Sequence, residues 1–231
     1  MRQHNVKEVL MRGKTVLWAT FVFFLVGFGS IVLAVPAWAG DGVVALQSAD
    51  PSCPDDSGNI YVGCSNGTVT DNRSGLIWLA HADCFGEVDW HDAMEIVAGL
   101  SDQDDSFCTE FSLTPTECDC GLSDGSSPGE WRLPSISEWR AMVNDALGEG
   151  GDPGCIADPP TITNDIGDAC RGAIGFGSSF ANVQTANYYS SNTFADNTAV
   201  AWVLNLSGGN AVGSNKASPP DDHMWPVRGG Q

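Results

Sequence analysis

Basic side chains are scarce: 10 Lys and Arg stand against 29 Asp and Glu in 231 residues. Four of the ten, Arg2, Lys7, Arg12 and Lys14, come before an uncharged, mostly apolar run from Thr15 to Ala34. Ala37-Trp38-Ala39 then offers small residues at a cleavage position before Gly40. Residues 1–39 therefore read as an export signal. Its removal leaves 6 basic and 28 acidic side chains, a net charge of −22. A surface of that sign repels nucleic-acid phosphates, sulfated glycans and anionic lipid headgroups, which argues against nucleic acid and sulfated glycan as partners. No second long apolar run follows residue 39, so no transmembrane segment is expected after signal cleavage. Hydrophobic residues make up 42% of the chain, enough for a packed core and too much for a disordered protein.

Groups that do chemistry are also few. Beyond residue 39 the only histidines are His81, His91 and His223, and no Gly-x-Ser-x-Gly motif accompanies them. The expectation is no enzyme. No Cys-x-x-Cys spacing occurs, which argues against zinc. All eight cysteines, Cys53, Cys64, Cys84, Cys108, Cys118, Cys120, Cys155 and Cys170, lie in the exported part. An even count there points to disulfides formed in an oxidising compartment: secreted, periplasmic or cell-surface. Cys118 and Cys120 are too close to bridge each other. Cys53 with Cys64, and Cys155 with Cys170, would each close a short loop.

What remains is organised as one domain. Residues 40–64 form a polar lead-in, with Asp50, Pro51, Pro54, Asp55 and Asp56, and residues 65–231 form the domain itself. Thr68-Val69-Thr70 and Leu76-Ile77-Trp78-Leu79 are β-rich runs joined by Asp71-Asn72-Arg73-Ser74-Gly75, a hairpin connection. Asp89 caps a first helix whose stripe is Trp90, Ala93, Met94, Val97 and Leu100. Ser135 and Glu138 form a capping box for a second, with Ile136, Trp139, Val143 and Leu147 on its buried face. Residues 101–130 and 148–180 are irregular. Tyr188-Tyr189-Ser190-Ser191, Val200 to Leu206, Ala211 to Lys216 and Met224 to Arg228 read as strands, with Pro226 placing the last at an edge or strand start. Strands, two helices and a curled antiparallel sheet make the fold class α+β.

Four of these segments, in this order, carry a family likeness. They are Gly67-Thr68-Val69-Thr70-Asp71-Asn72-Arg73-Ser74-Gly75-Leu76-Ile77-Trp78-Leu79; Cys120-Gly121-Leu122-Ser123-Asp124-Gly125-Ser126 running to Trp131-Arg132-Leu133-Pro134-Ser135-Ile136-Ser137-Glu138; Tyr188-Tyr189-Ser190-Ser191 with Ala201-Trp202-Val203-Leu204-Asn205-Leu206; and Trp225-Pro226-Val227-Arg228-Gly229-Gly230. Over about residues 65 to 231 the chain resembles the DUF1566 family, the C-terminal domain of the Legionella collagen-like adhesin. The resemblance implies a C-type-lectin-like fold related to that of the formylglycine-generating enzymes. It implies a Cys84–Cys120 bridge, and by elimination Cys108–Cys118. It also implies adhesion, since the adhesin binds host glycans and self-associates. The chain lacks that protein's collagen-like Gly-X-Y stalk.

Candidate site residues follow. Trp78, Trp90, Trp131, Trp139, Trp202 and Trp225 fall where periodicity places core. Adjacent strand residues face opposite ways, so one of Tyr188 and Tyr189 is expected outside, as a binding residue. Arg132 and Arg228 are either anion clamps or structural cations paired with carboxylates and carbonyls, and so acidic a chain favours the second reading. Asp102, Asp104, Asp105, Asp119 and Asp124, near the clipped loop, could hold calcium, the one cofactor these residues suit. The reading is a binding or adhesion module for a neutral glycan or a surface protein, with self-association open. An enzyme related to the formylglycine generators and a structural envelope component are the alternatives.

Overall fold

The computed structural model describes residues 53, 58–102, 120–144, 146–148, 154–157, 160–171, 177–217 and 222–229. The export signal, most of the lead-in, Asp104, Asp105, Cys108, Cys118 and Asp119 lie outside the described residues.

In chain order the elements are β1 (Tyr61–Gly63), β2 (Thr68–Asp71), β3 (Ile77–Leu79), β4 (Glu87–Val88), α1 (Trp90–Gly99), α2 (Ile136–Asn144), a 3₁₀ turn (Cys155–Ala157), β5 (Asn187–Thr193), β6 (Val200–Asn205), β7 (Asn210–Asn215), β8 (Asp222–His223) and β9 (Val227–Arg228). The class is α+β. The strands form two open sheets, ordered β1-β2-β3-β9 and β4-β8-β5-β6-β7. Pairing is antiparallel apart from β5 with β8.

Local chemistry explains most of these boundaries. The β2–β3 turn is tied by the Asp71 carboxylate, which accepts the Arg73 N–H at 2.9 Å and the Ser74 hydroxyl at 2.7 Å. Gly75 then takes φ +70°, a conformation a side chain would strain. Asp89 caps α1 by accepting the His91 and Asp92 N–H groups at 2.8 and 3.0 Å. The capping box of α2 forms as its spacing requires: the Ser135 N–H donates to Glu138 Oε2 at 2.7 Å, and the Glu138 N–H donates to Ser135 Oγ at 3.2 Å. Asn192 of β5 also caps this helix, its side-chain oxygen accepting the Ile136 N–H at 2.7 Å.

One aromatic cluster joins both sheets to α2. Trp78 of β3 lies 5.2 Å from Trp139 and 5.3 Å from Trp225, and Trp139 lies 5.7 Å from Tyr188 of β5. Phe180 continues the cluster from Trp225 to Tyr61 at 4.8 and 4.9 Å. Each such ring removes about 150–250 Å² from water, on the order of 4–6 kcal/mol of transfer free energy. Two of the three indoles are also anchored: Trp139 Nε1–H donates to Tyr189 O at 3.0 Å and Trp225 Nε1–H to Leu79 O at 2.7 Å.

Three disulfides lie among the described residues: Cys53–Cys64, Cys84–Cys120 and Cys155–Cys170. The second holds the loop that Gly67 abuts. At φ +84°, a Cβ on Gly67 would meet Gly121 O at 2.3 Å, so only glycine fits.

The structure departs from the sequence reading in four places. β1 lies in the segment read as polar lead-in; three residues are too few to show a period. The run from Met224 to Arg228 is not one strand. Pro226 has no N–H to give a ladder, and the chain passes there from β8 in one sheet to β9 in the other. Trp90 and Trp202 are half-buried rather than core, whereas Trp78, Trp131, Trp139 and Trp225 are buried. Finally, Tyr188 and Tyr189 are both fully buried. Tyr188 packs against Trp139, Trp225 and His223, and Tyr189, on the other side of β5, is covered as well, so both faces of this stretch lie inside the fold.

Candidate functional site

Three of the motif segments converge on one patch. Val227 of β9 pairs with Trp78 of β3, and exchanges backbone hydrogen bonds of 2.9 Å in both directions with Arg132. This brings the β2–β3 turn, the segment leading into α2 and the C-terminal strand together. Arg132 is the tie. Its guanidinium grips Glu138 through two hydrogen bonds, 2.8 Å to Oε2 and 2.7 Å to Oε1, and donates to Gly229 O at 3.0 Å and Leu133 O at 3.2 Å. Burial alone would raise the Glu138 pKa. The Arg132 hydrogen bonds, the Ser135 N–H and the Arg132 charge outweigh it and hold the carboxyl below its ordinary value.

In front of that pair lies a depression of about 230 Å³, lined by Asp71, Arg73 and Ser74 of the β2–β3 turn and by Glu138 and Ala141 of α2. Its polar groups are held in place. The Asp71 carboxylate is fixed by the turn, and Arg73 donates to the Tyr61 hydroxyl at 3.3 Å with its guanidinium 5.7 Å from that ring. Burial, and then the nearby Asp71 carboxylate, push the Tyr61 pKa up, which keeps that hydroxyl neutral. The sequence flagged Glu138 only as a cap and singled out neither Arg73 nor Ala141, because the two walls are more than sixty residues apart.

The remaining candidates are placed as follows. Arg228 is a structural cation: its Nη2 sits 2.9 Å from Asp124 Oδ2, and its guanidinium lies 5.6 Å from the Trp131 ring. Asp124, read as a calcium ligand, has no exposed side-chain surface and also accepts the Ser126 hydroxyl and N–H at 2.6 and 3.1 Å. Ser126 Oγ in turn accepts the Trp131 indole N–H at 2.9 Å. That correction removes Asp124 from an open cation site, since its charge is already matched inside the fold. Asp102 accepts the Gly125 N–H at 3.0 Å. Among the described residues no group of three or more His, Cys, Asp and Glu side chains is arranged to hold a metal ion.

Tyr188 and Tyr189 do not form a binding surface. The Tyr188 hydroxyl accepts the Gln184 N–H at 2.9 Å, and burial pushes its pKa up. Trp202 has its ring 4.5 Å from Phe194 and 5.7 Å from the Arg140 guanidinium. One pairing escaped the sequence. His223 Nδ1 lies 2.7 Å from Asp83 Oδ1, and its Nε2 lies 3.9 Å from Glu87 Oε1. Both ring nitrogens thus face carboxylates, whereas a base that activates a nucleophile needs one nitrogen on a hydroxyl or thiol.

Fold and site together define a disulfide-stapled α+β domain whose motif residues bind one another around a small surface depression. The family model described as the Lcl C-terminal domain matches residues 67–228, and the chain belongs to that family. No curated protein and no solved structure matches the chain. Among the described residues no helix is long and apolar enough to cross a membrane.

Proposed function

We propose that this chain is an exported, surface-exposed or secreted adhesion module that binds a neutral glycan or a surface protein and carries out no reaction of its own. Membership of the Lcl C-terminal domain family is the observation that carries the reading. The three disulfides among the described residues support an oxidising location. Two further features agree with a non-catalytic role. The six described cysteines are all bridged, and His223 is enclosed by acids rather than set against a nucleophile. The test is binding of the purified protein to arrays of neutral glycans and to intact cells, with calcium and with a chelator, beside a count of free thiols. Binding to neutral glycans or to a cell-surface protein, with no free thiol, is the expected result. A reactive thiol with no binding to either surface would favour the enzyme related to formylglycine generators.

A further inference from the structure

The edges of the two sheets are closed in different ways. β1 is covered by Asp165, whose carbonyl accepts the Ile60 and Tyr61 N–H groups at 2.7 and 3.1 Å. β9 is covered by the paired backbone hydrogen bonds between Val227 and Arg132. β4 has only two residues. β7 differs from all three: it is a six-residue edge strand, Asn210–Asn215, bound along one side to β6. Edges of this length are normally blunted by charge, proline, a bulge or a covering segment. β7 contains no charged residue and no proline, and its register with β6 runs unbroken from Asn210 opposite Asn205 to Asn215 opposite Val200.

The register also fixes where its backbone groups point. Lys216, one step beyond Asn215, donates its N–H to Ala199 O, directly opposite, at 2.9 Å. Backbone groups of an antiparallel strand alternate sides, so those of Ser214, Val212 and Asn210 also face β6. The N–H and C=O groups of Ala211, Gly213 and Asn215 therefore point off the edge. Among the described residues none of these six groups has a partner.

Neighbouring side chains decide what fits there. Gly213 stands opposite Trp202, whose ring lies 4.5 Å from that of Phe194. A Cβ on Gly213 would meet Val200 Cγ1 at 2.9 Å and the Phe194 ring at 3.5 Å. The glycine thus brings the open edge against an apolar shelf of Val200, Trp202 and Phe194, with no β7 side chain between. On the other face Val212 is 41% exposed. An added strand would set one large apolar side chain on the shelf and smaller ones beside Val212. The net charge of −19 disfavours an acidic segment or a second copy, and favours basic flanks.

We propose that β7 takes up an extended segment of another protein as a sixth strand, with an apolar side chain opposite Gly213 and basic residues at its ends. Main-chain hydrogen bonds to Ala211, Gly213 and Asn215 supply the grip, and the shelf supplies selectivity. This assignment rests on the surface-protein arm of the proposed function and gives it a location and a partner class.

The probe is a capped peptide, Lys-Thr-Val-Phe-Val-Thr-Lys, beside the same peptide N-methylated at Phe and both Thr. When Phe lies antiparallel opposite Gly213, those three residues turn their N–H groups to β7. The readout is amide hydrogen exchange of the purified protein, followed residue by residue by NMR. Without peptide, Ala211, Gly213 and Asn215 should exchange at least about tenfold faster than Val212 and Ser214, which β6 protects. Near saturation with the peptide they should slow by about tenfold or more, and the N-methylated peptide should leave them unchanged. Asn215→Pro removes one outward N–H at an exposed edge position and should weaken peptide binding roughly two- to tenfold. The peptide should also displace the protein from intact cells.

Slow exchange of the three amides in dilute protein alone would show the edge covered by the chain itself. Protection that grows with protein concentration would assign it to a second copy. Either result overturns the proposal, as does an equal effect of the two peptides or none from either. Cell binding that persists with β7 saturated would overturn the edge as the docking surface and leave the module reading intact. Failure of the wild type to bind any glycan or cell surface, with the amides behaving as expected, would overturn the proposed function instead. Should Asn215→Pro melt early, the two peptides on the wild type decide alone.

Discussion

Replacing Arg132 with alanine should damage the fold far more than any surface arginine does. The side chain makes two charged hydrogen bonds to Glu138 and two more to the carbonyls of Gly229 and Leu133. Its side chain is 23% exposed and that of Glu138 20%, so solvent screens the pair only in part. Hydrogen bonds to a charged group contribute about 1.5–3 kcal/mol where buried, and exposed ion pairs about 0–1. Arg132 stands nearer the first case and links the α2 start to the C-terminal strand, so the loss should be about 2–3 kcal/mol. For a domain of this size that lowers the melting temperature by roughly 4–12 °C. Arg132→Lys should fall between, because an ammonium cannot reproduce the two-point grip. Arg140→Ala is the control: its guanidinium only overlies Trp202 at 5.7 Å, a contact worth about 0.5–1 kcal/mol at an exposed site. Acid supplies a second test. The Glu138 pKa is depressed in the folded state, so its contribution is complete above the ordinary value near 4.5 and is lost as pH falls through the folded value. The gap between wild type and Arg132→Ala should therefore be full at neutral pH and narrow below about 4.5. Equal melting temperatures at neutral pH, or a gap that widens in acid, would refute the role assigned to this residue.

Three further outcomes can be checked by denaturant or thermal unfolding. Asp124→Ala, which strands Arg228 beside a fully buried site, should cost about 3–5 kcal/mol, and the Asp124→Ala/Arg228→Ala pair less than the sum of the singles. Replacing Cys155 and Cys170 together by serine frees a 15-residue separation and should remove about 3 kcal/mol without producing disulfide-linked dimers, as read by non-reducing electrophoresis. Tyr188→Phe deletes a buried acceptor of the Gln184 N–H and should cost about 1–3 kcal/mol; an effect on ligand binding with unchanged stability would show that this tyrosine had been misplaced.

What was legible in the sequence was local. The Asp71 turn, the Asp89 cap and the Ser135–Glu138 box each depend on residues two to five apart, and all three form. The α+β class follows from those elements. Alternation, by contrast, failed at Tyr188 and Tyr189, because it presumes one solvated face and this stretch of β5 is covered on both. It also missed the register shift in β5 between Tyr189 and Thr193, whose residues carry the cap of α2. Ile96, fully buried on α1, was left out of the stripe read from spacing. Asp124 was legible as an acid but not as half of an ion pair, since Arg228 lies 104 positions further on. The depression is hidden for the same reason. Its two walls meet only once β3, β9 and Arg132 have been laid side by side.

The scarcity of cations acquires a meaning once their contacts are known. Six basic residues follow residue 39, and each makes a contact within the fold. Four stand over aromatic rings: Arg73 over Tyr61, Arg140 over Trp202, Lys216 over Trp90 at 3.8 Å and Arg228 over Trp131. Lys216, itself buried, also donates to Thr193 Oγ1 at 2.6 Å. Arg132 holds Glu138, and Arg171, half-buried and with its pKa lowered by desolvation, donates to Phe180 O at 2.8 Å. Arg132, Arg171, Lys216 and Arg228 fix a helix start and strand ends from within the fold, while Arg73 and Arg140 lie exposed over the Tyr61 and Trp202 rings. With 28 acids against six cations beyond residue 39, most carboxylates have no basic side chain to match them. The same distribution that holds the fold together therefore sets the sign of the field outside it.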